Sequence, residues 1–156
     1  MSYNSRVIQL KEKLQTCNLH GMYITNLTNV RYLTGFTGSA GSLLILEDEQ
    51  HFFTDGRYIE QSRSQVKNCK IHIVGSAHYQ AIKEESLIPN NLKIAIEENF
   101  VSIGLYDQIR EALPHVIWEK LHDIIGIIAA VKDVSEINSL KTAIEITDTV
   151  FTEIIP

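Results

Sequence analysis

Residues 28–62 read TNVRYLTGFTGSAGSLLILEDEQHFFTDGRYIEQS and hold the residue types most able to do chemistry. Gly35, Gly38 and Gly41 recur at a regular step, Ser39 lies between two of them, and Asp55-Gly56-Arg57-Tyr58 offers a carboxylate, a guanidinium and a phenol within one turn. Regular glycines suggest a phosphate cradle, yet G-x-x-G-x-x-G is neither the dinucleotide pattern nor a P-loop, since no Gly-Lys-Ser/Thr follows. A phosphate loop also runs from a strand into a helix N-terminus, whereas this one leads into the strand-like SLLILE. TGSAG around Ser39 is close to a nucleophile elbow, but an elbow needs a strand before it and a helix after it, the reverse of the order here. Ser39 is therefore read as a hydroxyl that stabilises a tight loop.

The remaining polar residues carry weaker signals. The histidines, His20, His51, His72, His78, His115 and His122, show no H-x-H or HExxH spacing. Of these, His51, His72 and His115 fall in strand-like runs and read as structural, each satisfied by one backbone or water hydrogen bond. Glu47, Asp48 and Glu49, and the pairs Glu84/Glu85 and Glu97/Glu98, read as turns and solvated faces. Cys17 and Cys69 have no neighbouring Cys or His and read as two buried thiols. Asp55 stands at a strand end entering a helix, on the side of an α/β sheet where ligands approach, and is expected to cap free N–H groups with Arg57 in an internal salt bridge.

The elements that must hold these residues follow from periodicity. Val7, Leu10, Leu14 and Cys17 make one helical stripe over 3–17, with Asn18 as a stop. MYIT is a short strand after Gly21, and SLLILE (42–47) and HFF (51–53) form an antiparallel hairpin across Asp48–Gln50. A helix from Arg57 towards Val66 follows. Strand and helix then alternate: KIHIV (70–74), helix near 77–87, KIAIE (93–97), helix near 102–113, HVIWE (115–119). The pattern implies an α/β domain with a mixed, mostly parallel sheet flanked by helices. From Asp133 to Ile155 an amphipathic stripe of Ile137, Leu140, Ile144, Thr147, Phe151 and Ile154 predicts one helix, capped by Asp133 or Ser135, about twice the usual length of about 11–12 residues. A stripe that long needs a partner, so residues from about 131 are expected to open a second domain; docking on the chain's own sheet or pairing with a second copy is the plainer alternative.

At 156 residues, 44% hydrophobic and 21% charged, the chain suits one globular domain. A net charge of -5 without a Lys/Arg cluster argues against a nucleic-acid partner. The apolar run IIGIIAAV (124–131) is far below the roughly 18 residues of a membrane span, and the N-terminus lacks the apolar core of a signal peptide, so no membrane partner and a cytoplasmic location are expected.

NVRYLTGFTGSAGSLLI followed by TDGRYIEQS closely resembles the N-terminal domain of the creatinase, prolidase and aminopeptidase P superfamily. The closing AAVKDVSEINSLKTAIEITD is similar to that family's domain junction, with Lys132, Glu136 and Ile137 in matching places and Asp133 where Ser is commoner. The resemblance implies a creatinase-like domain over 1–130, with a layering like that of ribonuclease H, and over 131–156 the first helix of a truncated pita-bread catalytic domain. It implies a parent Xaa-Pro aminopeptidase or dipeptidase acting on proline-containing peptides. That parent would use two divalent metals (Mn, Co or Zn class) whose ligands lie outside this sequence, so this chain would hold no catalytic residue, metal ligand or cofactor and would be inactive alone. It further implies a homodimer, with Arg31, Tyr32, Gly38 and Ser39 as candidates at the substrate entrance and Asp55, Gly56 and Arg57 fixing the loop. Alternative parents are a metal-free relative that binds peptides and a creatine-type amidinohydrolase.

Overall fold

The computed structural model describes residues 3–155. Helix α1 (Tyr3–Thr16) buries Val7, Leu10 and Leu14, the expected stripe, and the chain turns away where Asn18 adopts a left-handed φ of 56°. Cys17 does not extend the stripe: its N–H bonds both the Lys13 and Leu14 carbonyls as the helix unwinds, and its side chain is exposed. Only Cys69 is partly covered, and burial pushes its thiol up to about 11.

The strands are β1 (Gly21–Ile24), β2 (Ser42–Leu46), β3 (Gln50–Thr54), β4 (Lys70–Ile73), β5 (Lys93–Glu97) and β6 (Ile117–Leu121). They form one sheet in the order β4-β3-β2-β1-β5-β6. Strand β2 runs antiparallel to both β1 and β3, and the β1–β5, β3–β4 and β5–β6 pairings are parallel, which makes the sheet mixed and mostly parallel as expected. His115 lies in the turn before β6 rather than in the strand.

Alternation along the central strands divides the core between two faces. Met22, Ile24, Leu43, Ile45 and Phe52 point to one layer, made by α1, by α2 (Leu27–Thr34) and by α6 (Ile124–Ala130). Tyr23, Leu44, Phe53, Ile94 and Ile96 point to the other, made by α4 (His78–Glu84) and α5 (Ile103–Ala112). Helix α3 (Ile59–Gln65) follows a 3-10 turn at Gly56–Tyr58. Two helices escape the periodicity reading. Helix α2 is short and depends on polar anchors from elsewhere, and α6, with the sequence IIGIIAA, has no polar face to set a period.

Helix α7 (Val134–Ile154) starts at a full capping box: the Asp133 carboxylate accepts from the Glu136 N–H at 2.9 Å, and the Glu136 carboxylate accepts from the Asp133 N–H at 2.9 Å. Its first turn is held to the body by Arg6, itself 8% exposed, whose guanidinium lies 3.3 Å from Asp133 and 3.1 Å from Glu136. Beyond that turn the helix stands clear, and none of its residues is buried. Among the described residues no helix is long and apolar enough to cross a membrane.

Candidate functional site

The glycine segment is a loop between α2 and β2, and each end has a physical anchor. At its start Gly35 adopts φ 80° and donates its N–H to the Arg31 carbonyl at 2.8 Å, ending α2; a side chain there would be strained and would meet the Tyr3 ring. At Gly38 the reason is space, because a Cβ would run into the rings of Phe36 and Tyr58. Those rings meet edge-on at 5.5 Å, and Phe36 packs on Phe52 at 4.7 Å, so the loop folds over an aromatic floor. No neighbour crowds Gly56, which has open space around it.

Side chains from later in the sequence then fasten the loop. Ser39 Oγ and the Tyr58 hydroxyl lie 2.7 Å apart, and this bond draws the Tyr58 phenol below its ordinary pKa. Thr54 donates its hydroxyl to the Ala40 carbonyl at 2.6 Å, and Gln65 Oε1 accepts from the Thr37 N–H at 2.9 Å. Asp55 accepts from the Arg57 backbone N–H at 2.9 Å and from its guanidinium at 3.0 and 2.8 Å. Hydrogen bonds from Arg57 hold the Asp55 carboxyl down at about 2. The cap and the Asp55–Arg57 ion pair are therefore both present, within residues 55–57 and with the Arg57 side chain largely exposed.

Arg31 differs from the other arginines of this region. It lies on the last turn of α2, exposed, and its side chain makes no hydrogen bond or ion pair with the described residues. Tyr32 turns elsewhere: its ring stacks on the Arg6 guanidinium at 4.3 Å and its carbonyl accepts from Arg6 at 2.8 Å, which commits it to the α1–α7 junction. Gly38, Ser39, Asp55 and Arg57 thus gather around Tyr58, Arg31 joins the loop only through its carbonyl at Gly35, and Tyr32 is turned to Arg6.

Glu97 is the residue that sequence reasoning misplaced. It is 4% exposed rather than solvated, and its carboxylate accepts from the backbone N–H groups of Thr25 (2.8 Å) and Asn26 (2.9 Å) and from the Asn29 side chain (2.7 Å). It anchors the N-terminus of α2, the helix that carries Arg31, where a negative charge is favoured. Its one local cue was its place at the end of the buried strand KIAIE. His51 and His72 depart from the expected single hydrogen bond: they contact each other and two glutamates, Glu49 and Glu85. Ser42 and His78 do form a Ser–His contact at 2.9 Å, and Tyr23 donates to Ser42 at 3.2 Å, but Ser42 is 2% exposed and no substrate carbonyl can reach it.

Among the described residues no group of three or more His, Cys, Asp or Glu side chains can hold a metal ion. A cavity of about 160 Å³, lined by Lys11, His20 and Glu47 among others, opens at the far end of β2 from the loop and takes no part in it.

With this geometry in place, residues 6–134 match the model of the creatinase/prolidase N-terminal domain. The chain is 31% identical over 147 residues to the uncharacterized peptidase YqhT of Bacillus subtilis (strain 168), covering 94% of this chain and 42% of that protein. It is 36% identical over 86 residues to Xaa-Pro aminopeptidase 1 of Dictyostelium discoideum, covering 53% of this chain and 14% of that protein. An Xaa-Pro dipeptidase from Bacillus anthracis has the same fold, with TM-score 0.90 at 24% identity over 97% of this chain and 42% of that one. The chain spans less than half the length of these relatives.

Proposed function

The chain belongs to the creatinase/prolidase N-terminal domain family, and from that premise we propose that it serves as the first domain of a cytoplasmic, homodimeric Xaa-Pro aminopeptidase or dipeptidase. Residues 1–130 form this domain, and α7, within 131–156, opens a catalytic domain that follows. Hydrolysis of proline-containing peptides belongs to that second domain. The divalent metals are assigned to that second domain as well. This domain's part is to border the substrate entrance.

The observation that carries the reading is the contrast between a braced loop and a spare guanidinium. Ser39, Thr54 and Gln65 spend their polar groups on the loop and Asp55 and Arg57 spend theirs on each other, while the Arg31 side chain, on the helical turn that Gly35 ends, stays exposed and unpaired among the described residues. A planar fork of donors on a fixed helix end suits a peptide carboxylate. In the longer protein carrying this domain, Arg31→Ala is expected to lower kcat/KM for Xaa-Pro peptides by about tenfold or more, the scale of a charge-assisted hydrogen bond. Arg31→Lys should recover only part of that loss. An unchanged kcat/KM in Arg31→Ala would remove the substrate-facing role.

A further inference from the structure

On the sheet edge away from α5, two imidazoles use all four of their ring nitrogens within one chain of contacts. Glu85 Oε1 lies 2.9 Å from His72 Nδ1, His72 Nε2 lies 3.0 Å from His51 Nδ1, and His51 Nε2 lies 3.0 Å from Glu49 Oε2. Lys70 donates to the other Glu49 oxygen at 2.7 Å. The chain ties together β3, β4, the turn before β3 and the residue that ends α4. His51 is 1% exposed and the Phe53 ring stacks on His72 at 4.8 Å, so the two rings are packed, while the carboxylates at the two ends of the chain, Glu49 and Glu85, are nearly half exposed.

Counting protons shows what such a chain requires. An ionised carboxylate only accepts, so His72 Nδ1 and His51 Nε2 must both carry hydrogen. If both rings are neutral, their remaining nitrogens then face each other at 3.0 Å as two lone pairs with no proton between them. Reversing either tautomer supplies that proton only by turning a lone pair towards a carboxylate. All three contacts are hydrogen bonds only when the two rings share one extra proton.

Charge balance sets the limit at one. Glu49, Glu85, Lys70 and a singly charged pair sum to zero, whereas a second proton would put two cations at contact distance beside Lys70. Burial, and after it the neighbouring His72, lower the pKa of His51. The groups facing the pair are Glu49 from the turn before β3, Lys70 from β4 and Glu85 from the end of α4.

We propose that Glu85, His72, His51 and Glu49 form a one-proton latch that fastens edge strand β4 and the end of α4 to the sheet when the shared proton is bound and loosens them when it leaves.

Glu85→Gln tests this with an exposed, isosteric change. A glutamine amide can donate to His72 Nδ1, after which His72 Nε2–H can point to His51 and every contact is satisfied with both rings neutral. Imidazole ¹⁵N shifts followed against pH on the intact chain should show one proton taken up by the His51–His72 pair in the wild type over the range where two free imidazoles would bind two. In Glu85→Gln that uptake should move at least about one unit lower, with amide exchange in β4 losing its pH dependence. Independent protonation of both rings, or a Glu85→Gln titration that matches the wild type, would overturn the latch.

Discussion

The sheet with its flanking helices and the long helix α7 obey opposite rules of burial. Every residue of β1 is buried, and α1 submerges Val7, Leu10 and Leu14, while α7 presents Val134, Ile137, Leu140, Ile144, Phe151 and Ile154 to solvent. Both regions have the same kind of apolar stripe. Only the body has a face to cover it, and a helix of 21 residues fastened at one end has little beyond its capping box and propensity to hold it. The difference teaches that an amphipathic pattern records a surface the chain expects to meet, whether or not that surface lies within the same 156 residues.

The largest effect should come from equal truncations placed on the two sides of this contrast. Leu10→Ala in α1 removes a fully buried side chain and is expected to cost about 2–5 kcal/mol in urea unfolding. Leu140→Ala, half exposed on α7, should leave the midpoint of this chain almost unmoved but destabilise a longer chain in which α7 is covered. Equal costs in the isolated chain would erase the contrast.

Next comes the polar anchor inside the body. Glu97→Ala strands two part-buried backbone N–H groups just before α2 and should cost about 2 kcal/mol, read as a lower unfolding midpoint, with the α2 amides the first to exchange. At the hinge between the regions, Arg6→Met keeps the apolar contact with Tyr32 but leaves Asp133 and Glu136 without its guanidinium. The expected cost is about 2 kcal/mol, below that of a fully enclosed pair because Glu136 is partly exposed. Its mark should be faster exchange in the first turn of α7 with the sheet unaffected.

The smallest effect is acid sensitivity. Burial lowers His78, which bonds Ser42, below its ordinary value of 6.5. The unfolded chain therefore binds more protons than the folded one as pH falls below about 6.5, so the stability from this group is complete above that pH and lost beneath it. His78→Gln should flatten that part of the urea-midpoint profile between pH 7.5 and 5, and an unchanged slope would assign the acid loss elsewhere.

Much of this organisation was legible in the residues. Strand periodicity placed all six strands, the last starting two residues early, the polar turn Asp48–Gln50 placed the hairpin, and of the two caps offered for α7, Asp133 and Ser135, Asp133 is the one used. The Ser39 hydroxyl meets that of Tyr58, and Asp55 caps the Arg57 N–H, as their types suggested. What stayed hidden depends on partners distant in sequence. Glu97 looks like a strand-end carboxylate until Thr25, Asn26 and Asn29 fold against it, and His51 and His72 look like isolated strand histidines until β3 and β4 pair. Helix α2 has local caps in Asn26 and Gly35, but it is only eight residues long and its first turn is held by Glu97 from a distant strand. Tyr32 carried an entrance expectation from resemblance alone, and Arg6 draws it to another junction.

Amide hydrogen exchange along Val134–Ile154, measured in this chain as a sedimentation-verified monomer and again in the longer protein that contains it, tests the proposed organisation most directly. The account predicts a helix that exchanges far faster than β1 here and becomes as protected as β1 in the longer protein. A helix already protected like the core in the isolated monomer, or still unprotected in the longer protein, would contradict it.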